Sequence, residues 1–277
     1  MNKNKLTSMA HKIAKENNLS FNSTLIYFFL EAVLKRIASS SASENFIFKG
    51  GFLLSNVIGV SQRTTVDMDM ILKNYPMNEE AVLELIKETV SIDLEDGVIC
   101  TVQDIEPIRD QDDYGGVRVK VLCQLENIKQ IVPLDIATGD PVTPSPIKYE
   151  YRTLFGDEKI PLMSYNLETM LAEKMHTIYV RGIANSRSKD FYDVYILMKL
   201  RKKEIDYLKI EAACERTFKY RNTIFDKSEI HEVVNSIEGN PGMKTRWNSF
   251  AKKNMFAKDI KFEDGIDSCR DLLNKMK

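Results

Sequence analysis

The chain has 277 residues, 43% of them hydrophobic and 29% charged, with a net charge of −1, the balance of a globular protein with room for one large or two ordinary domains. No apolar run reaches the ~20 residues needed to cross a bilayer, and the N-terminus MNKNKLTSMAHKIAKENN lacks the apolar core of a secretory signal. Cys100, Cys123, Cys214 and Cys269 are scattered with no CxxC pair, which argues against a zinc site or disulfide framework and predicts a cytoplasmic protein with no membrane-embedded part. Residues 1–150 carry 15 Lys+Arg against 21 Asp+Glu, net −6, and residues 151–277 carry 24 against 19, net +5. An acidic half followed by a basic half suits a metal-binding catalytic domain next to one that grips a polyanion.

In chain order, the first forty residues read as helices. Leu25, Phe28, Phe29, Ala32, Val33 and Ile37 recur at helical spacing, with Ser23 or Thr24 as N-cap. A short strand (Phe46-Ile47-Phe48), the pair Gly50-Gly51 and a helix from Phe52 to Ile58 follow. Val66 to Leu72 reads as a strand, residues 78–90 as a helix, and residues 98–102, 117–125 and 131–136 as further strands. The stretch GDPVTPSP, residues 139–146, holds three prolines and ends the strand-rich part. Beyond Leu162 the pattern is helical, over residues 166–180, 189–200, 205–218, 228–237, 243–253 and 262–276. The expected fold class is α+β: a first domain over residues 1–150, N-terminal helices included, and an all-helical domain over residues 151–277.

Chemistry concentrates at Asp67 and Asp69. Residues two apart on a strand point the same way, so both carboxylates face one side, while Val66, Met68 and Met70 face the core. Close carboxylates repel, and a hard divalent cation such as Mg²⁺ or Mn²⁺ relieves the repulsion. The spacing alone is cheap, since Asp93/Glu95, Asp104/Glu106 and Asp110/Asp112 share it. Asp67 and Asp69 stand out because strand, Gly50-Gly51 and helix precede them. Glycines let backbone approach a ligand, and free N–H groups at a helix start suit a triphosphate. The fifteen residues between Gly51 and Asp67 allow one helix and a return strand.

These motifs resemble the polymerase-β-like nucleotidyltransferases, and more closely the AbiEii/AbiGii toxin family, which includes the MenT-type toxins. The matching residues are Lys49-Gly50-Gly51, the run from Arg63 through Thr65 to Asp67-Met68-Asp69, and Leu134-Asp135-Ile136 ahead of Gly139-Asp140-Pro141. Glu168 to Lys174 and Arg187 to Asp193 complete the match, which spans roughly residues 45–200. The resemblance implies that Asp67 and Asp69 bind Mg²⁺ (or Mn²⁺), with Asp135 as third carboxylate and Asp140 its rival. It implies that Lys49, Gly50, Gly51, Arg63 and Thr65 line the nucleotide site, that Lys174 reaches the phosphates, and that Asp190 and Asp193 orient Lys174 or contact the base. Thr65 could line the site or be modified.

The resemblance further implies an NTP substrate, a cognate antitoxin encoded alongside, a role in abortive phage infection and a tRNA 3′ end as acceptor. Lys199-Leu200-Arg201-Lys202-Lys203 and the basic residues interleaved with Trp247, Phe250 and Phe256 suit RNA, although Trp247 and Phe250 also fit a buried helix face. Two rival functions share the same residues: nucleotide transfer to a protein or small molecule, and non-catalytic NTP binding.

Overall fold

A computed structural model describes residues 1–108 and 116–276; Asp110 and Asp112 lie outside the described residues. Two compact units emerge, one from residues 1–139 and 147–164, the other from residues 140–146 and 165–277.

The first unit is a seven-stranded mixed sheet with helices. In chain order it runs α1 (Lys3–Asn17), α2 (Phe21–Ser39), β1 (Phe46–Lys49), α3 (Gly50–Ile58), β2 (Met68–Leu72), α4 (Glu79–Val90), β3 (Val98–Pro107), β4 (Gly116–Leu125) and β5 (Ile128–Ala137). Then come β6 (Ile147–Arg152) and β7 (Lys159–Ser164). The strand order is β3-β4-β5-β2-β1-β7-β6. β1 runs antiparallel to β2, and β2 runs parallel to β5. Helix α2 starts earlier than its apolar stripe suggested, because the Ser20 side chain accepts from the Ser23 amide. It is buried nearly all round, as a core helix must be when apolar residues cover more than one stripe. Arg36, 1% exposed, ties it to the start of β3 through both oxygens of Asp96 and the Val98 carbonyl.

The sequence places the domain division near residue 150, but β6 and β7 lie beyond the prolines and complete the sheet. The polar alternation of β6 (Lys148, Glu150, Arg152) hid it from an apolar-run reading, and Pro161 inside the short β7 speaks against a strand there. The proline-rich segment is not a linker. It is pinned to the helix that follows it, α5 (Leu167–Arg181): Asn166 Nδ2 donates to the Thr143 carbonyl at 2.8 Å and the Thr143 amide donates to Thr169 Oγ1 at 3.0 Å.

One buried carboxyl group holds the end of the sheet. Glu31 on α2, 2% exposed, accepts from the Tyr151 hydroxyl (3.1 Å) and the amides of Leu154 (2.5 Å) and Phe155 (3.2 Å). Burial pushes its pKa up from 4.5 to about 7, although these donors and Lys35 oppose the rise. Below about pH 4.5 the carboxyl is protonated in both the folded and the unfolded chain, so its contribution to stability is fully present there. That contribution is lost as the pH rises toward 7, because only the unfolded chain ionises freely in that window. Urea unfolding between about pH 5 and about pH 8 is expected to cost the wild type about 3 kcal/mol more than Glu31→Gln. Equal pH slopes for the two proteins would mean that Glu31 ionises normally.

The second unit is helical: α5, α6 (Ser188–Leu200), α7 (Tyr207–Tyr220), α8 (Lys227–Glu238), α9 (Pro241–Lys253) and α10 (Phe262–Lys275). Side chains of Asp206, Asp226 and Asn240 cap α7, α8 and α9. No helix among the described residues is long and apolar enough to cross a membrane.

Candidate active site

The β4–β5 hairpin sets the site. A two-residue turn at Glu126-Asn127, with Glu126 at φ 52°, pairs Leu125 with Ile128, and that register carries Arg118 opposite Asp135. Asp135 is in turn level with Asp69 on β2, and Asp69 with Lys49 on β1. Lys49, Asp69, Asp135 and Arg118 therefore form one row across four strands. β4 alternates strictly, with Val117, Val119, Val121, Cys123 and Leu125 buried, which leaves Arg118 and Lys120 on the other face.

Oxygens of Asp67, Asp69 and Asp135 lie within 4.8 Å of one another, all on partly exposed side chains. Asp67 sits just ahead of β2 rather than inside it, and Val66 is 53% exposed instead of facing the core. The strand begins only at Met68, where β2 gains its partner β5, so strand alternation does not reach Val66. Met68 and Met70 are buried as the alternation requires. Asp140, the rival third carboxylate, belongs to the other unit, where Arg221 pairs with it at 3.4 Å and with Glu173 at 3.0 Å.

The glycine turn closes over the carboxylates. Gly50 has φ +67°, and a Cβ there would fall 1.9 Å from Asp69 Oδ2. The Gly51 amide donates to the same oxygen at 3.3 Å. A Cβ on Gly51 would meet Thr65 Oγ1 at 3.0 Å and the Arg63 guanidinium at 3.3 Å. The Thr65 hydroxyl donates to Asp67 Oδ1, and the Thr65 amide donates to the Tyr27 hydroxyl at 3.2 Å. Arg63 is 6% exposed and donates to the Thr64 carbonyl, so it is built into the loop and not solvated. Lys49, Gly50, Gly51, Arg63, Thr65, Asp67, Asp69 and Asp135 are thus gathered in the first unit.

Arg118 is the residue that sequence reading missed. Its Nε and Nη2 each donate to one Asp135 oxygen at 2.6 Å, a bidentate fork. The Asp135 hydrogen bonds hold the guanidinium charged even above its usual range. The alternation of Val117 to Val121 marks Arg118 as facing away from the core, but only the hairpin register reveals its partner. Two other closely spaced acidic pairs have ordinary work: Asp104 and Glu106 both pair with Lys120, and Asp93 accepts from the Glu95 amide in a turn.

In the second unit Lys174 Nζ lies 3.0 Å from Asp190 Oδ1 and 2.8 Å from Asp193 Oδ2, both carboxylates being at most 1% exposed. Lys174, Asp190 and Asp193 therefore form one cluster joining α5 to α6. His176 packs edge-on against Phe218 and bonds the Thr223 hydroxyl; burial, with Arg221 adding to it, lowers its pKa to about 4, so it is neutral at physiological pH. Trp247 is 1% exposed and donates to the Ile260 carbonyl, and Trp247, Phe250, Phe256, Phe262 and Tyr192 are in mutual ring contact. The aromatic part of the RNA signal is packing.

The profile of the family described as nucleotidyl transferase AbiEii toxin, of a type IV toxin–antitoxin system, matches residues 32–268. The chain belongs to the AbiEii family. Two solved structures from Helicobacter pylori share the fold of this AbiEii-family chain. One, a candidate nucleotidyltransferase, has a TM-score of 0.56 at 15% identity, over 92% of this chain and 95% of its own. The other, JHP933, has a TM-score of 0.55 at 14% identity, over 92% of each chain. No curated protein matches the sequence. Membership makes the chain a nucleotidyltransferase toxin, and the α+β fold with a helical C-terminal unit agrees with the class expected from its motifs.

Proposed function

We propose that this AbiEii-family toxin moves a nucleoside monophosphate from an NTP to the 3′ end of an RNA, tRNA first among acceptors, with release of pyrophosphate. What carries the reading is the cluster of Asp67, Asp69 and Asp135 beneath the Gly50-Gly51 turn. Three hard oxygen donors in this space fit Mg²⁺ or Mn²⁺. When bound, such an ion neutralises phosphate charge and lowers the pKa of an attacking hydroxyl. Thr65 orients Asp67, Arg118 orients Asp135, and the Gly51 amide orients Asp69. A side chain at Gly50 would crowd Asp69 and one at Gly51 would crowd Thr65 and Arg63, so their absence keeps the approach to the triphosphate open. Lys49 and Arg63 add positive charge around that approach. The family resemblance adds Lys174, Asp190 and Asp193, which pair with one another inside the helical unit, to the residues of nucleotide use.

The first unit thus acts as the nucleotidyltransferase domain and the second binds the acceptor, in the cytoplasm, held in check by a cognate antitoxin and released during phage infection. The support for RNA is the net +5 charge of residues 151–277. Cations that grip RNA release counterions, so acceptor binding is expected to weaken steeply with salt while NTP binding changes little. Lys252 and Lys253 are exposed at the end of α9. Changing both to Ala should lower tRNA affinity about three- to tenfold and flatten the salt slope by roughly one to two units. Purified tRNA incubated with Mg²⁺ and each labelled NTP is expected to gain 3′ nucleotides. Label appearing on a protein instead, with tRNA unchanged, would replace this acceptor with a polypeptide.

A further inference from the structure

Two of the four cysteines, far apart in sequence, meet in the fold. Cys100 on β3 and Cys123 on β4 are direct partners in the antiparallel ladder, and their sulfurs are 3.3 Å apart. Facing positions in such a ladder have Cα atoms about 4.5–5.5 Å apart, inside the about 4.4–6.8 Å range that a disulfide spans. The pair is also asymmetric. Cys100 is 6% exposed, whereas Cys123, Cys214 and Cys269 are fully buried. Arg36 lies close enough to feel both thiols, and its buried Nε has no hydrogen-bond acceptor among the described residues.

We propose that Cys100 and Cys123 are a reversible disulfide-forming pair that takes a small peroxide as oxidant, with Cys100 attacking and Cys123 resolving. The Cys100 thiolate attacks one peroxide oxygen, the O–O bond breaks, and the departing hydroxide leaves as water after taking up a proton. Cys100 is then a sulfenic acid. The Cys123 sulfur attacks the Cys100 sulfur, the S–O bond breaks, and a second water departs with the Cys123 proton. Two thiols and one hydrogen peroxide thus become one disulfide and two waters, and a dithiol reductant reverses the change. The assigned order follows from access and charge. Hydrogen bonding with the Cys123 thiol, and the Arg36 charge after it, hold Cys100 below the usual thiol range, while that same bond and burial push Cys123 up. Burial pushes Cys214 up as well, and Cys269 to about 12, and neither faces a second sulfur, so both serve as internal controls.

The test is peptide mapping of the full chain after mild hydrogen peroxide treatment, followed by alkylation without reduction. The expected result is a Cys100–Cys123 linked peptide, lighter by two hydrogens and lost on reduction, with Cys214 and Cys269 still alkylated. In Cys123→Ser, Cys100 should accumulate as a sulfenic acid that dimedone captures; in Cys100→Ser, Cys123 should stay reduced. Wild-type protein in which Cys100 oxidises no faster than Cys214 and no linked peptide forms would overturn the proposal. Oxidation of Cys123 at an undiminished rate in Cys100→Ser would overturn the assigned order.

Discussion

Replacing Asp67 or Asp69 with Ala is expected to lower nucleotidyl transfer on the order of 10³-fold or more while leaving the melting temperature essentially unchanged. Each substitution removes a hard ligand from a set of three, and the other two carboxylates cannot hold an ion in the same place. The size of the loss follows from what such an ion supplies, several kcal/mol of charge stabilisation at the reacting phosphate. Stability should survive because the three carboxylates crowd within 4.8 Å of one another, and removing one relieves repulsion without opening a cavity. Asp104→Ala serves as the control: Asp104 pairs with Lys120 on an exposed ladder, so the change should leave transfer intact. Full activity in Asp67→Ala or Asp69→Ala would remove that residue from the site.

Gly50→Ala should be nearly as damaging, by another route. At φ +67° an L side chain costs about 1–2 kcal/mol. The added methyl would also sit 1.9 Å from Asp69 Oδ2, a distance no packing adjustment tolerates, so Asp69 must move. Displacing a reacting group by about 1 Å is worth on the order of 10²-fold in rate. Activity should therefore fall far more than the modest stability loss explains, and metal affinity should weaken with it. Gly51→Val is milder, because its Cβ contacts, Thr65 Oγ1 and the end of the Arg63 side chain, lie at 3.0 and 3.3 Å. If Gly50→Ala proved as active as the wild type, the close approach of Gly50 to Asp69 would have no catalytic meaning.

Much of the site was legible because it is local. Asp67-Met68-Asp69 and Lys49-Gly50-Gly51 are contiguous, and strand alternation and glycine chemistry act over a few residues. The α5 and α6 helices were legible for the same reason, since helical periodicity is local too, whereas the Lys174–Asp190–Asp193 cluster joins two helices and was expected only from the family resemblance. Arg118 was not, because its role depends on the β4–β5 register, which a single turn at Glu126 sets. The meeting of Cys100 with Cys123 is likewise a matter of register, so scattered cysteines read as unrelated thiols. β6 was lost because its polar alternation carries little apolar signal, β7 because it is short and holds Pro161, and Val66 was misplaced because a pleat was extended past its last ladder partner. Trp247 and Phe250 show the converse: interleaving with lysines suggested stacked bases, while Trp247 is core and Phe250, half-buried, packs against it.

Whether the Asp67, Asp69 and Asp135 cluster transfers nucleotides is decided by incubating the pure chain with Mg²⁺, each α-labelled NTP in turn and total cellular RNA, alongside Asp67→Ala. The wild type is expected to attach label covalently to RNA 3′ ends, with the label lost when Mg²⁺ is chelated and absent with Asp67→Ala. Equal labelling by wild type and Asp67→Ala, or labelling that survives chelation, would contradict transfer by this cluster.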